Sequence, residues 1–426
     1  MALSDFKHDM QRCSRCSYCK WIPWRAMQDP EFATGCPSIR EYHFHAYAAG
    51  GKWNMGLSLL EDKIEIDDDF LDALYRCNMD GACDVSCKAI QDIEPLQMMQ
   101  ELRIHAVQEG HALPEHMMVI EGLKREDNMM MQPREKRGDW AEGLDVRDLT
   151  RETADVVYHT GCRTSFTESL WETARNGVRI LQQGGLSVGI MGRDEACCGG
   201  RAFEMGFEGE LTKYAEHNLE AWKRAGVRAV VTPCADCYHA FKVLYDRIHK
   251  KPEIEVLHVV EVIDRMLQDG SLKLTKPVER TVTYHDPCHL GRLAEPWEHW
   301  EGKEVKALGQ MICHDPPKKY RRGQHGVYDP PRNVLRAIPG LRLQEMHRTR
   351  DYAFCCGVGG GVREAYPEFM ESTGQERLRE AAAVGAEAIV SACPWCKKNF
   401  EDSCDRKADQ TPPEALDIID LVYQAL

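Results

Sequence analysis

The sequence predicts an α+β protein, in which a mainly helical, cysteine-rich N-terminal region is followed by two repeated α/β units. The main observation behind the repeat is a set of five cysteines that recurs in the same order. Around each set, short apolar strands alternate with helical segments, a pattern typical of a parallel sheet. A separate group of seven cysteines lies within the first 100 residues and sets the N-terminal region apart.

Composition limits the class of protein further. The chain has 426 residues, so two or three domains are expected. Its 54 basic and 68 acidic side chains give a net charge of −14, which argues against nucleic-acid binding. No apolar stretch approaches the ~20 residues that span a bilayer. Because the N-terminus also lacks the apolar segment of a secretory signal, we expect a cytoplasmic protein with no transmembrane segment.

The nineteen cysteines are clustered in sequence, which favours metal binding over a disulfide framework. In the N-terminal region, Cys13, Cys16 and Cys19 are each separated by two residues, and Cys36-Pro37 follows after 16 residues. A second run places Cys77, Cys83 and Cys87 with gaps of five and three residues. Both runs resemble the C-x2-C-x2-C-x3-C-P frame of bacterial two-cluster ferredoxins, in which the fourth cysteine of each run serves the other cluster. The fit requires a stretched last gap in the first run and Asp80 in the place of a cysteine in the second.

The ferredoxin resemblance implies two cubane [4Fe-4S] clusters. One set of ligands is Cys13, Cys16, Cys19 and Cys87. The other is Cys36, Cys77 and Cys83, with Asp80 as the fourth ligand. Two alternatives stay open at this point: zinc in place of iron, and Asp80 as a turn residue beside a [3Fe-4S] cluster or a water-ligated iron.

The repeat itself has a regular spacing. The first copy comprises Cys162, the pair Cys197-Cys198 followed by Gly199-Gly200, and Cys234-x-x-Cys237. The second comprises Cys288, the pair Cys355-Cys356 followed by Gly357, and Cys393-x-x-Cys396. From the pair to the C-x-x-C there are 35 residues in the first copy and 36 in the second. Each cysteine follows a predicted strand, where Rossmann-like parallel sheets place their sites. We expect Gly199, Gly200 and Gly357 to let backbone N–H groups approach a bound cluster.

Domain boundaries follow from these patterns. We predict a ferredoxin-like domain over 1–123, a polar surface linker over 124–150, and α/β units over 151–275 and 276–426. The first gap of the repeat is 34 residues in the first copy and 66 in the second, which predicts an insertion at about 293–326. Cys313 within it, and Cys404 on a predicted helix, are interpreted as free buried thiols.

The doubled five-cysteine pattern resembles the cysteine-rich (CCG) domain of heterodisulfide reductases. A two-cluster ferredoxin fused to two such domains is similar to the D-type heterodisulfide reductase subunit. The resemblance implies two noncubane [4Fe-4S] clusters, one on each five-cysteine set. The motifs around Cys13–Cys19 and Cys36 resemble subunits of acyl-CoA or aromatic acyl-CoA systems, such as class II benzoyl-CoA reductase complexes.

These features favour an electron-transfer subunit of a hetero-oligomeric oxidoreductase complex. No flavin or dinucleotide motif is present, so flavoprotein or ferredoxin partners are expected to supply electrons. An alternative is a catalytic subunit that reduces a disulfide at the noncubane clusters, and a zinc-bound structural module is a third reading. No catalytic residue is assigned from the sequence. His159, His285 and His289 lie beside cluster cysteines, either as hydrogen-bond or proton donors or as packing residues of the loops.

Overall fold

The N-terminal region is helical, as predicted. The computed structural model describes residues 2–88, 90–91, 93–295, 300–309, 311–319, 321–404 and 412–426. The core of this region is formed around the buried side chains of Trp53, Tyr75, Met99 and Leu102. Its helices are α1 Lys7–Arg12, α2 Pro37–Tyr42, α3 Ala49–Leu60, α4 Asp68–Tyr75, α5 Ala82–Cys87, α6 Pro95–Gln108 and α7 Pro114–Glu126.

The first α/β unit is built on five strands in the order β1-β3-β2-β4-β5, and every pairing is parallel. Its strands are β1 Arg147–Asp148, β2 Val156–Tyr158, β3 Val188–Ile190, β4 Ala229–Thr232 and β5 Glu255–His258. Its helices are α8 Cys162–Ser165, α9 Trp171–Gln183, α10 Gly200–Glu204, α11 Glu208–Ala225, α12 Ala235–His239, α13 Tyr245–Arg247 and α14 Val259–Asp269.

The second α/β unit repeats this plan with four parallel strands in the order β11-β10-β6-β9. Its sheet strands are β6 Arg280–His285, β9 Leu341–Leu343, β10 Ala388–Ser391 and β11 Glu414–Asp417. Its helices are α15 Asp329–Ala337, α16 Val362–Ala365, α17 Pro367–Ala383, α18 Pro394–Asp402 and α19 Ile418–Ala425. The predicted fold class is therefore confirmed, and a strand inside each sheet leads to the first cysteine of its set.

The two units face each other through equivalent helices. Helix α9 packs against α19, and α14 packs against α15. Hydrogen bonds repeat across this contact: the Asn176 amide donates to Asp420 at 3.1 Å, and the Asn333 amide donates to Asp264 at 3.3 Å. Because α9 corresponds to α15 and α14 to α19, the interface has approximate two-fold symmetry.

Residues 124–150 differ from the predicted surface linker. Helix α7 continues to Glu126, Arg137 and Trp140 are buried, and β1 adds an edge strand to the first sheet. Arg137 pairs with Glu195 at 2.9 Å. The polar composition of this stretch therefore reflects a buried ion pair as well as solvent exposure, and the segment belongs structurally to the first unit.

The predicted insertion contains an antiparallel hairpin of β7 Lys303–Ala307 and β8 Met311–Asp315. The hairpin reaches α1, where Arg12 Nη1 lies 3.3 Å from Glu304 Oε1. Cys313 lies in β8 and is half-buried, not fully buried as expected. Cys404 does not lie on the expected helix, because α18 ends at Asp402 and the thiol is half-buried beyond it. Residues 296–299, 310 and 320 of the predicted insertion lie outside the described residues.

Among the residues described, no helix combines the length and the apolar content needed to cross a membrane.

Candidate metal centres

The first N-terminal site brings together the four cysteines predicted to share a cluster. They line one cavity: Cys13, Cys16, Cys19 and Cys87. The turn that carries the first three is possible because Arg15 and Ser17 adopt left-handed backbone conformations, with φ of 56° and 68°. Cys87 reaches the cavity from the end of α5. Of these four thiols, only that of Cys16 is exposed.

The second N-terminal site also has the predicted composition. One cavity is lined by Cys36, Cys77, Asp80 and Cys83, with the buried ammonium of Lys52 beside them. Cys36 comes from the start of α2, so the cysteine at the end of each run does cross to the other run's site. The crossover expected from the ferredoxin frame is thereby present in the geometry.

Asp80 lies in the wall of this second cavity and already has protein partners. Its Oδ2 accepts a hydrogen bond from Arg292 Nη2 at 3.1 Å, and its Oδ1 accepts one from the Ala82 N–H at 3.2 Å. A carboxylate keeps further lone pairs after accepting one bond on each oxygen. The geometry is therefore compatible with a metal-facing carboxylate and equally with a carboxylate held by Arg292 alone.

Each five-cysteine set lies at the carboxyl ends of its parallel strands. In the first set, Cys162 follows β2, the pair Cys197-Cys198 follows β3, and Cys234 caps α12 after β4. All five thiols are buried. Hydrogen-bonding contacts link neighbouring thiols in the order Cys162, Cys197, Cys198, Cys237, Cys234.

The second set has the same arrangement. Its buried thiols are linked in the equivalent order Cys288, Cys355, Cys356, Cys396, Cys393. The two sets also adjoin each other, because the thiols of Cys234 and Cys393 lie close enough to shift each other's pKa. Ten cysteines from two α/β units thus form one continuous buried group at the interface.

Glycines shape the loop after each cysteine pair. The Gly199 N–H donates to Cys197 Sγ at 3.4 Å, and the Gly357 N–H donates to Cys355 Sγ at 3.3 Å. Both glycines have positive φ, 76° and 106°. A Cβ at Gly357 would lie only 2.4 Å from the Met370 carbonyl oxygen, so the loop accommodates no side chain there.

The donor chemistry fits iron–sulfur clusters. The sites offer groups of buried thiols, which suit soft metals, with few oxygen donors. Burial, reinforced by the neighbouring Cys77, raises the pKa of Cys36 to about 12. Such a thiol holds its proton until a metal displaces it, so we expect cluster assembly to release protons. Buried cations, Lys52 at the second N-terminal site and Arg137 at 3.6 Å from Cys162 Sγ, help to compensate the resulting thiolate charge.

The three histidines singled out from the sequence have different environments. His289 Nδ1 lies 3.5 Å from Cys288 Sγ and 3.1 Å from Asp236 Oδ1. Burial lowers the pKa of an imidazole, yet Asp236 and Glu204 raise that of His289 well above its usual value. A ring nitrogen of His285, Cys356 Sγ and Cys396 Sγ lie within 4.8 Å of one another. Within the described part of the chain, His159 forms no such group with two cysteines.

The second N-terminal site adjoins the second five-cysteine set. The Asn78 amide donates to the Gly357 carbonyl at 2.6 Å. A Cβ at Gly360 would lie 2.4 Å from the Cys77 carbonyl oxygen, so the two cysteine loops are in backbone contact. Arg292, which holds Asp80, also lies near Cys288 and Cys355, whose negative charges raise the pKa of its guanidinium.

Several functional side chains were not found from the sequence. Lys52 and Arg137 lie in stretches with no recognisable motif, and Arg292 ends the segment around Cys288 without a role assigned to it; each is buried against a site only in the folded chain. The one available signal was Asp236, because it lies inside the C-x-x-C of the first set.

Comparison with known protein families agrees with this arrangement. The model of the cysteine-rich domain matches residues 156–242 and 311–401, and the model of the 4Fe-4S dicluster domain matches residues 9–90. The dicluster match favours iron over the zinc alternative for the N-terminal sites.

Relatives that match most of the chain are also found. The chain is 30% identical to the D-type subunit of dihydromethanophenazine:CoB–CoM heterodisulfide reductase from Methanosarcina barkeri, over 84% of this chain and 79% of the relative. It is 30% identical to the corresponding protein from Methanosarcina acetivorans, over 91% of this chain and 85% of the relative. It is 26% identical to the EtfAB:quinone oxidoreductase of Syntrophomonas wolfei, over 83% of this chain but only 47% of that protein.

Proposed function

The chain belongs to the family of D-type heterodisulfide reductase subunits, which are iron–sulfur oxidoreductase subunits, and we propose that it relays electrons from two ferredoxin-type cubanes to two noncubane clusters. The two cubanes would be held by the two N-terminal cysteine groups, with Asp80 as a ligand or neighbour of the second. The noncubane [4Fe-4S] clusters would be held by the two five-cysteine sets. In this role each cluster accepts and passes on one electron.

The observation that carries the proposal is the series of neighbouring cysteine sites, in which Ala49 lines both N-terminal cavities. The first N-terminal site contains an exposed cysteine, Cys16. The second N-terminal site contacts the loop of the second five-cysteine set, through the hydrogen bond from Asn78 to Gly357. The second set contacts the first through Cys393 and Cys234. A series of adjacent sites from the surface to a buried pair is what electron transfer through a single chain requires.

The proposed partner is an acidic redox protein, a ferredoxin or a flavoprotein, that docks over the first N-terminal site. Residues 11–28, which carry three of its cysteines, contain four basic and no acidic side chains, although the whole chain carries −14; of the four, Arg12 is paired with Asp9 and Glu304. Trp21 and Trp24 are exposed there by 46% and 68%. Exposed aromatic residues and arginines are enriched at protein interfaces, and complementary charge accelerates association.

We propose that the complex acts in an acyl-CoA or aromatic acyl-CoA system in the cytoplasm. The resemblance of the first cysteine motifs to such systems supports this assignment. All nineteen cysteines are free, which agrees with a reducing compartment.

Iron analysis together with low-temperature EPR of anaerobically purified protein tests the relay. Four clusters require roughly sixteen irons per chain, and stepwise reduction should reveal separate cubane and noncubane signals. A content of roughly four irons per chain would overturn the proposal. Co-purification from the native host under low salt would identify the partner.

Reduction of a disulfide is the second candidate function. It is favoured by the closeness of the two complete five-cysteine sets and by a cavity of about 350 Å³ that reaches His239. The His239 ring lies 5.0 Å from that of His289, next to Cys288. In this reaction a disulfide takes up two electrons, one from each cluster site, and two protons to give two thiols. Turnover of a mixed disulfide with reduced viologen would support it, and a lack of turnover by the fully loaded protein would exclude it.

A further inference from the structure

His285 is held in one orientation beside the second five-cysteine set. It ends β6, is completely buried, and packs edge-on against Phe400 with ring centroids 4.9 Å apart. Its Nδ1 accepts a hydrogen bond from Arg377 Nε at 3.2 Å. Arg377 is itself fixed by an ion pair with the buried Glu380. The ring therefore has little freedom to turn or to exchange its partner.

The Arg377 bond also determines which ring nitrogen carries the proton. A guanidinium can only donate, so His285 Nδ1 must offer its lone pair. In a neutral imidazole the proton then lies on Nε2. Among the described residues Nε2 has no hydrogen-bond partner, although it is buried. An unsatisfied buried donor of this kind is costly unless it meets an acceptor.

Chemically suitable acceptors close to the ring belong to the second set. Cys356 Sγ, Cys396 Sγ and a ring nitrogen of His285 lie within 4.8 Å of one another. This trio could be read as a three-ligand metal site. The tautomer argues against that reading, because an Nε2 that carries a proton has no lone pair to give to a metal.

The first repeat lacks this arrangement. His159 occupies the same sequence position, three residues before Cys162, as His285 does before Cys288. Neither ring nitrogen of His159 makes a hydrogen bond among the described residues, and its Nε2 lies 3.8 Å from Glu195 Oε1. The Cys162 thiol of the first set is contacted by Arg137 instead.

On the premise that the second five-cysteine set binds a cluster, we propose that His285 is a positioning residue whose Nε2–H donates a hydrogen bond to a sulfur at the Cys356 and Cys396 side of that site. Hydrogen bonds to sulfur stabilise the more negative, reduced state of a cluster and raise its reduction potential. Among the described residues, the first site has no counterpart of this donor. The two repeats would therefore bind their clusters with equivalent cysteines, whereas different side chains would set the reduction potential of each cluster.

EPR-monitored redox titration of the intact, iron-loaded chain tests the role. His285→Leu is expected to lower the midpoint potential of one noncubane signal while the iron content stays the same. His285→Gln keeps an N–H donor and an acceptor for Arg377, so it should restore most of the potential. The matched control, His159→Leu, should leave that signal where it is.

Two further outcomes decide the question. In protein labelled with ¹⁵N-histidine, a weak hyperfine coupling typical of a hydrogen bond should be present in the wild type and lost in His285→Leu, and a strong coupling typical of an iron-bound nitrogen that is lost in the variant would overturn the proposal. An unchanged midpoint in His285→Leu, with full iron, would overturn the role of His285 alone. A wild-type protein without any noncubane signal would overturn the proposed function as well.

Discussion

At the scale of single residues, the sites depend on charged side chains that the cysteine pattern does not reveal. Lys52, Arg137 and Arg292 are buried against groups of thiols. Thiolates bound to iron carry negative charge into a region of low dielectric, where an unpaired charge is costly. These cations lower that cost: Lys52 at the second N-terminal site, Arg137 at the first five-cysteine set, and Arg292 between the second N-terminal site and the second set. The cysteines therefore define which metal group binds, whereas the cations and N–H donors define its electrostatic environment.

Asp80 gives the sharpest test of a single ligand position. Its carboxylate lies in the cavity wall with Cys36, Cys77 and Cys83. We predict that Asp80→Cys changes the EPR spectrum of the second ferredoxin-type cluster, because a thiolate in this place completes an all-cysteine set. Asp80→Asn separates the two roles: it alters the spectrum if the carboxylate binds iron. If Asp80 serves only as the partner of Arg292, both variants will show the wild-type spectrum.

Gly357 tests the loop that follows the second cysteine pair. Its φ is 106°, and an added Cβ would lie 2.4 Å from the Met370 carbonyl oxygen. We predict that Gly357→Ala displaces the loop and removes roughly four irons per chain. Gly385→Ala is the matched control, because φ is 72° there and nothing lies within 4 Å of the added atom. The control should cost only about 1–2 kcal/mol of stability and keep its iron. Equal iron contents in the two variants would contradict the steric argument.

At the scale of elements, the repeat explains why so much of the fold could be predicted. The strands before Cys162, Cys234, Cys288 and Cys393 were recognisable from short apolar runs, and their parallel pairing followed from the alternation with helices. The assignment of the N-terminal cysteines to two ligand groups could be predicted, because it follows from matching their spacing to the ferredoxin frame. The surface linker predicted over 124–150 differs from the structure for a physical reason. In the sequence Arg137 looks like a surface residue, and only the fold shows that it is buried in an ion pair with Glu195.

The contact between the two five-cysteine sets was also beyond the sequence. Cys234 and Cys393 are far apart along the chain and meet only because α9 packs on α19 while α14 packs on α15. No periodicity within one repeat encodes how it faces the other. The polar residues of these helices, which look like solvent-exposed positions in the sequence, are the ones that bond across the interface.

These cross-interface bonds should differ in strength between the two halves. Asp420 accepts hydrogen bonds from Thr173 at 2.7 Å and Asn176 at 3.1 Å, and Lys397 Nζ lies 3.5 Å away. We predict that Asp420→Ala lowers stability by about 2 kcal/mol, because several partners lose their acceptor. The equivalent Asp264→Ala should cost about 1 kcal/mol. Scanning calorimetry of the loaded proteins would compare their Tm values, and a larger loss in Asp264→Ala would contradict this account of the interface.

At the scale of the whole molecule, the sites are arranged from the surface inward. The exposed Cys16 marks the outer end, and the joined five-cysteine sets lie between the two α/β units. The distribution of charge supports this direction: a basic, aromatic surface surrounds the outer site on an otherwise acidic chain. Such a distribution favours docking of an acidic partner at one place and disfavours it over the remaining surface.

We therefore predict that electron transfer from a reduced acidic ferredoxin depends on the basic residues around the first N-terminal site. The double variant Arg15→Glu, Arg25→Glu should slow the reaction about tenfold at low salt, since it reverses the charge that steers the encounter. The wild-type rate should fall as added salt screens the attraction, and the variant rate should not.

Arg151→Glu with Arg193→Glu changes the same number of exposed charges on the first α/β unit and serves as the control. Equal slowing in both double variants would mean that net charge, and not a docking surface, governs the rate. Reduced viologen would establish that the clusters of all variants remain competent, while binding of the wild-type chain to anionic lipid vesicles, lost in the first double variant, would reassign the surface to a membrane.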